Sequence, residues 1–241
     1  MIIIYLFLIF LTIAFLYTNK TTKRKVNTRT YLINYNDYIN KFNNNDLELR
    51  NCKNKELCIT KYNDSIIPLT KKEENKLNSI TTDFYKKLNN KFNKILKNIK
   101  ILKIKNNIDA NLPHTNKYFI ILTKNIFNTL LSLDTNNQNM FKLLIHEQFH
   151  VFQRYNYKLI SKLYTNYWNM KRINIELPIK ILNKIRSNPD VKDYWLYRIK
   201  DNQYILPLSI YKGNSYDISD VNLVYTNVII KNNKYNFDNQ F

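Results

Sequence analysis

Glycine is almost absent: one residue, Gly213, in a chain of 241. The loops that cradle phosphate need several glycines, where the backbone turns tightly or approaches the ligand closely. The dinucleotide fingerprint and the P-loop are therefore excluded, and with them most nucleotide-dependent enzymes. Cysteine is scarce as well. Cys52 and Cys58 bound a short loop, CKNKELC, that suits a disulfide in an oxidising compartment. With no second pair they make neither a zinc ribbon nor a disulfide scaffold. Histidine occurs three times, and 18 Asp+Glu stand against 38 Lys+Arg. What the chain does have is apolar mass: 19 Tyr, 13 Phe and a hydrophobic fraction of 44%. That is too much for a disordered chain, and the length suffices for one ordinary domain or two small lobes.

The formal charge of +20 invites a nucleic-acid or anionic-membrane reading. Two features weaken it. Asn, Lys, Ile and Tyr, all with A/T-rich codons, dominate the composition, so part of the lysine excess is background. The charge is also dispersed, with no block of five or six consecutive like charges. A nucleic-acid partner is thus the less favoured expectation.

Residues Ile2–Tyr17 (IIIYLFLIFLTIAFLY) carry no charge. As a helix they would span about 24 Å, slightly short of a hydrocarbon core of about 30 Å. No basic n-region precedes them, and no small-residue cleavage site follows, so a retained single-pass anchor over residues 1–18 fits better than a cleaved signal peptide. Lys20, Lys23, Arg24, Lys25 and Arg29 follow directly, and the positive-inside rule places this flank and the body of the chain on the cytoplasmic side. Residues 19–45 read as a basic polar linker and 46–241 as the globular domain.

Within that domain the periodicities predict an α+β fold. Phe84, Leu88, Phe92, Leu96 and Ile99 recur at helical spacing in a basic amphipathic segment, 79–105, that Thr82 can cap. Lys117–Lys124 (KYFIILTK) reads as a strand, 136–155 and 157–170 as helices. YWLYRI, QYILPLSIY and VNLVYTNVII read as strands toward the C-terminus.

The segment that carries chemistry is Lys142–Arg154, KLLIHEQFHVFQR. His146 and His150, four apart on a helix, lie on one face about 6 Å from each other. Two imidazoles so placed can share one zinc at about 2.0–2.1 Å each. Glu147 projects beside them, suited to act as a general base without being a ligand. With 3 His and 6 Glu in the chain, chance would produce H-E-x-x-H about once in a thousand such sequences.

This segment resembles the active-site helix of zincin-type metallopeptidases, of the gluzincin-like kind. The wider pattern over Leu143–Tyr197, HEQFHVFQR then LYTNYW then RSNPD, is similar to uncharacterised H-E-x-x-H proteins of large DNA viruses with A/T-rich genomes. The resemblance implies a zincin-like domain, its active-site helix packed near a small sheet. It implies a Zn2+ cofactor on His146 and His150, Glu147 as catalytic base, and a peptide or protein substrate extended along Tyr118–Leu122 as edge strand. The third ligand departs from the known patterns. Gln153 and Asn156 stand where metzincins carry Gly and His, and the helix after the motif holds no acid. Asp190, in RSNPD, is the favoured third ligand, with Glu176 as the alternative; Asp193 is its near neighbour and His114 a weaker possibility. Tyr164, Arg186, Tyr194 and Tyr197 are candidates to hold an oxyanion, and Trp168 and Trp195 are core anchors. The rival expectation is a membrane-tethered basic binding or structural protein on an inactive zincin scaffold.

Overall fold

Phe119–Thr123 is buried at all five positions, as expected of an uninterrupted apolar run. A strand apolar on both faces belongs inside a sheet covered on both sides, and its neighbours follow from that. The computed structural model describes residues 35–88, 100–133, 137–173, 175–191, 193–212, 221–232 and 234–238. The apolar run Ile2–Tyr17, its basic flank and residues 89–99 of the predicted basic helix lie outside the described residues. Among the described residues no helix is long and apolar enough to cross a membrane.

The elements run as α1 (Asn36–Ile39), α2 (Asn44–Leu49), α3 (Lys55–Asn63), β1 (Ile66–Ile67), α4 (Lys71–Lys87) and β2 (Lys100–Ile104). A 3-10 turn (Asp109–Asn111) leads to β3 (His114–Asn116), β4 (Phe119–Thr123), α5 (Lys124–Ser132), α6 (Gln138–Tyr155) and α7 (Tyr157–Asn166). The C-terminal part holds β5 (Met170–Arg172), α8 (Ile179–Leu182), β6 (Trp195–Lys200), β7 (Gln203–Tyr211), β8 (Val221–Lys231) and β9 (Lys234–Phe237). The fold is mixed α+β.

Two sheets form. The first has the order β1-β2-β4-β3. Strands β2 and β4 are parallel, from Lys100↔Phe119 to Ile104↔Thr123, and β3 pairs antiparallel with β4 on the outside. The second is an antiparallel meander, β5-β6-β7-β8-β9. Helices α4, α5, α6 and α7 share one core around Phe84, Ile120, Leu122, Phe127 and Leu144. A second cluster, with Tyr35, Ile39, Phe42, Tyr62 and Ile121, fills the other face of the first sheet.

Several expectations change. The helix predicted over 79–105 begins earlier, at Lys71, because Thr70 and Glu73 form a reciprocal capping box there. It ends at Lys87, and Lys100–Ile104 is a strand instead. There Ile101 and Ile104 are buried, and pairing with β4 outweighs the helical spacing. Strand β4 is interior, so the edges are not Tyr118–Leu122 but the two-residue β1 and the three-residue β3. Helix α7 stops at Asn166, and Met170 opens β5. The stretch read as linker to residue 45 enters the fold earlier, since Tyr35, Tyr38, Ile39 and Phe42 are buried. Cys52 and Cys58 are joined as a disulfide with Cα atoms 5.2 Å apart.

Candidate metal centre and cleft

Helix α6 is set by its start and its stripe. The Asn137 side chain accepts from the N–H groups of Asn139 and Met140. Met140, Leu144, Glu147, Gln148, Val151 and Phe152 then turn inward at helical spacing. His146, His150 and Arg154 fall four apart on another line of the helix, and His146 is exposed there.

The two imidazoles meet. Their Nε2 atoms are 3.1 Å apart, and the ring planes stand at 85°. Nδ1 of His150 lies 3.1 Å from Oε1 of Gln153, and Nε2 of Gln153 donates to the Tyr164 hydroxyl at 2.8 Å. With its amide nitrogen spent on Tyr164, Gln153 offers His150 an acceptor, so His150 carries its proton on Nδ1 and presents a lone pair at Nε2. Tyr164 is itself fixed, stacked on Trp168 and edge-on to Trp195 with centroids 5.2 and 5.0 Å away. Partial desolvation and the neighbouring His150 both lower the His146 pKa, which favours the neutral form that binds metals.

Glu147 is 3% exposed and its Oε2 has no hydrogen-bond partner. Burial first, and the charge of Asp190 second, push its carboxyl up to about 8. A buried, orphaned carboxyl oxygen on the helix that carries two converging imidazoles is costly for structure alone, and active sites commonly hold such groups.

Beside the pair opens a cleft of about 620 Å³ whose walls include His150, Gln153, Arg154, Tyr164, Asp190 and Trp195. Of the predicted polar residues, Asp190, Asp193 and Tyr164 thus line this cleft. The Asp190 charge acts on both His146 and Glu147. Its Oδ1, however, accepts from the Thr115 N–H at 3.1 Å and from the Thr115 hydroxyl, and lies 3.6 Å from Arg154. Glu176 is exposed and off the cleft wall. His114 is 2% exposed, with Nδ1 3.2 Å from the Leu112 carbonyl, in the second core cluster's neighbourhood. Its ring centre is 6.3 Å from that of Tyr35. Arg186 is also buried and donates to Asp109 at 3.1 Å, so its guanidinium is committed away from the histidines. Tyr194 lines a different depression, with Asn43 and Leu182. Tyr197 stands exposed on β6, and Asp193 pairs with Arg172 at 2.8 Å.

Do these residues fit a zinc ion? Two nitrogens each about 2.0–2.1 Å from one tetrahedral ion sit about 3.3 Å apart, close to the 3.1 Å found here. The donor types suit zinc. An Nε2–H on His146 donating to His150 meets the same distance without an ion. Among the described residues no group of three His, Cys, Asp or Glu side chains is poised to hold a metal; the paired donors are His146 and His150 alone. No family profile, no curated protein and no solved structure matches this chain. The likeness to zincins therefore rests on the residues of α6 themselves.

Sequence reasoning did not find Gln153, Thr115 or Arg154. Gln153 was visible only as the residue replacing a metzincin glycine. Its place at i+3 from His150, within reach on a helix, is the signal that would have found it.

Proposed function

We propose that this chain is a zinc-dependent metallopeptidase, tethered to a membrane through Ile2–Tyr17. The observation that carries the reading is the Nε2 pair of His146 and His150 at 3.1 Å, on a helix that also carries a buried Glu147 with an unpartnered oxygen. His146 and His150 would hold the ion, and Asp190 is the acid whose charge already bears on both His146 and Glu147. Zinc, when bound, supplies a Lewis acid that lowers the pKa of water and stabilises the developing oxyanion. Glu147 takes a proton from the attacking water and delivers it to the leaving amine. Gln153 keeps His150 in the tautomer that leaves Nε2 free. Tyr164 anchors Gln153, and its hydroxyl on the cleft wall is the remaining oxyanion candidate. Arg186 and Tyr194 lie in other surroundings and have no role in this scheme.

Two features bear on orientation in opposite directions. The Lys20–Arg29 flank favours a cytoplasmic body, whereas a disulfide between Cys52 and Cys58 is a device of oxidising compartments.

A second reading has an observation of its own. The third ligand is not assembled among the described residues, and Glu147 is not on the cleft wall. Both suit an inactive scaffold that binds nucleic acid or anionic lipid through its basic surface. That reading requires binding that weakens steeply with salt and ignores chelators. The peptidase reading requires hydrolysis that stops with chelation and with Glu147→Gln.

A further inference from the structure

Strand β3 is an outer strand of the first sheet, and an edge strand offers its free N–H and C=O groups to any extended chain. The outward-facing row here is one residue, Thr115, itself 1% exposed. It sits opposite Ile120 in the antiparallel pair with β4, but its own N–H and C=O are turned outward and occupied by side chains. The N–H donates to Asp190 Oδ1 at 3.1 Å. The C=O accepts from Arg154 Nη2 at 3.4 Å. The hydroxyl reinforces both, donating to the same Asp190 oxygen and accepting from Arg154 Nη2 at 2.8 Å. Arg154 Nη1 also donates to the Lys117 carbonyl at 2.8 Å.

A carboxylate that accepts and a guanidinium that donates, placed on either side of one residue, copy the pattern of a paired peptide backbone. Both side chains come from functional elements. Arg154 is one helical turn past His150 on α6. Asp190 ends the RSNPD segment, where its own N–H donates to Asn188 Oδ1 at 2.9 Å. Both line the cleft that holds His150.

We propose that Arg154 and Asp190 form a self-inhibitory clasp on β3, filling the backbone site beside His150 that an extended peptide would take, and that such a peptide binds by displacing them. The proposal rests on the peptidase reading for the identity of the occupant. The clasp is open to solvent at Arg154 and nearly closed at Asp190, whose side chain is 10% exposed. Its Arg154–Asp190 contact is 3.6 Å, the Arg154 side chain is 28% exposed, and Asp190 lies in a connection outside any helix or strand.

The test uses the zinc-loaded full chain carrying Glu147→Gln, so that bound peptide is not turned over. The probe is fluorescein-labelled α-lactalbumin, reduced and carboxymethylated to keep it unfolded, followed by anisotropy. Thr115→Val removes the hydroxyl shared by both partners and leaves the backbone groups and side-chain shape; Arg154→Ala removes one arm, with Arg154→Gln in reserve if the alanine variant melts early. Each lost hydrogen bond is worth a factor of about 2–10. The clasp therefore predicts a Kd about 3–10-fold lower in each variant that remains folded at the assay temperature. A Kd unchanged or raised in both folded variants overturns it, as does failure of all three chains to bind the probe. Hydrolysis of the same probe by the chain with Glu147 intact is scored separately. Its absence refutes the peptidase reading, while the Kd comparison still decides the clasp.

Discussion

At His150 the difference between a ligand and a bystander is which ring nitrogen carries the proton. The Gln153 carbonyl oxygen at 3.1 Å from Nδ1, held by Tyr164 at the other end of the amide, decides that in favour of a free Nε2. Removing the acceptor should therefore cost metal affinity before it costs fold. Gln153→Leu is expected to weaken zinc binding about 10–100-fold, the usual effect of losing such a supporting partner, and Gln153→Glu should retain it. Competition against a chromophoric chelator reads this directly, and equal affinity for all three chains would refute the role. The meeting of His146 and His150 was legible in the sequence because helical spacing alone puts the two rings on one face. Gln153 was not, because an amide is neutral in every motif and acquires meaning only from Tyr164, eleven residues on. Arg186 failed in the opposite way: a lone cation in a loop looks available for an anion, and only the fold reveals that Asp109 has taken it.

Among the elements, α6 was the most legible. Its inward stripe and its Asn137 cap are local features, and the observed start at Gln138 follows from them. Asn137→Ala should lower stability by about 1 kcal/mol, visible as a lower thermal midpoint; an unchanged midpoint would contradict the capping role. Strand β2 was illegible for a physical reason. Ile101, Leu102 and Ile104 continue the apolar spacing of the basic segment before them, and nothing local distinguishes a strand there. The parallel partner β4 does, and the pairing brings Lys103 to Glu73 at 2.7 Å with little exposure of its side chain. The same non-local logic turned KYFIILTK from an expected edge into an interior strand. A run without polar alternation has no face to give to water, so the edge beside it fell to HTN, whose three residues carry no strand signal.

Across the whole molecule, a buried ionic cluster ties the N-terminal helices to both sheets. Arg50 bonds Asp46 and Asp109, Arg186 bonds Asp109, and the Tyr38 hydroxyl donates to Asp109 at 2.9 Å. From β7 the Tyr211 hydroxyl donates to Asp46 at 2.8 Å. Burial alone would raise the Asp109 carboxyl, but Arg50, His114, Arg186 and Tyr38 outweigh it and hold it below the ordinary value of 3.8. A folded-state pKa below the unfolded one adds stability at pH above the unfolded value, and that stability is lost as the pH falls through the lower folded value. The protein should therefore keep this contribution at neutral pH and lose it progressively below about pH 4. Asp109→Asn leaves Arg50 and Arg186 buried without their shared carboxylate, at a cost of about 3–5 kcal/mol at pH 7, and should flatten the acid limb of the stability curve. Denaturant titrations from pH 7 to pH 3 test this; an acid limb unchanged by the substitution would contradict it. No sequence pattern signals this cluster, because its bonded partners lie up to 165 residues apart.

The central claim is that the paired histidines of α6 hold a catalytic zinc served by Glu147. It is tested most directly by measuring zinc per chain and hydrolysis of an unfolded protein in the same preparations of the native chain and Glu147→Gln. The account predicts one zinc per chain in both, with hydrolysis about 100–10,000-fold slower in the substituted chain. A native chain without stoichiometric zinc, or hydrolysis that survives Glu147→Gln, would contradict it.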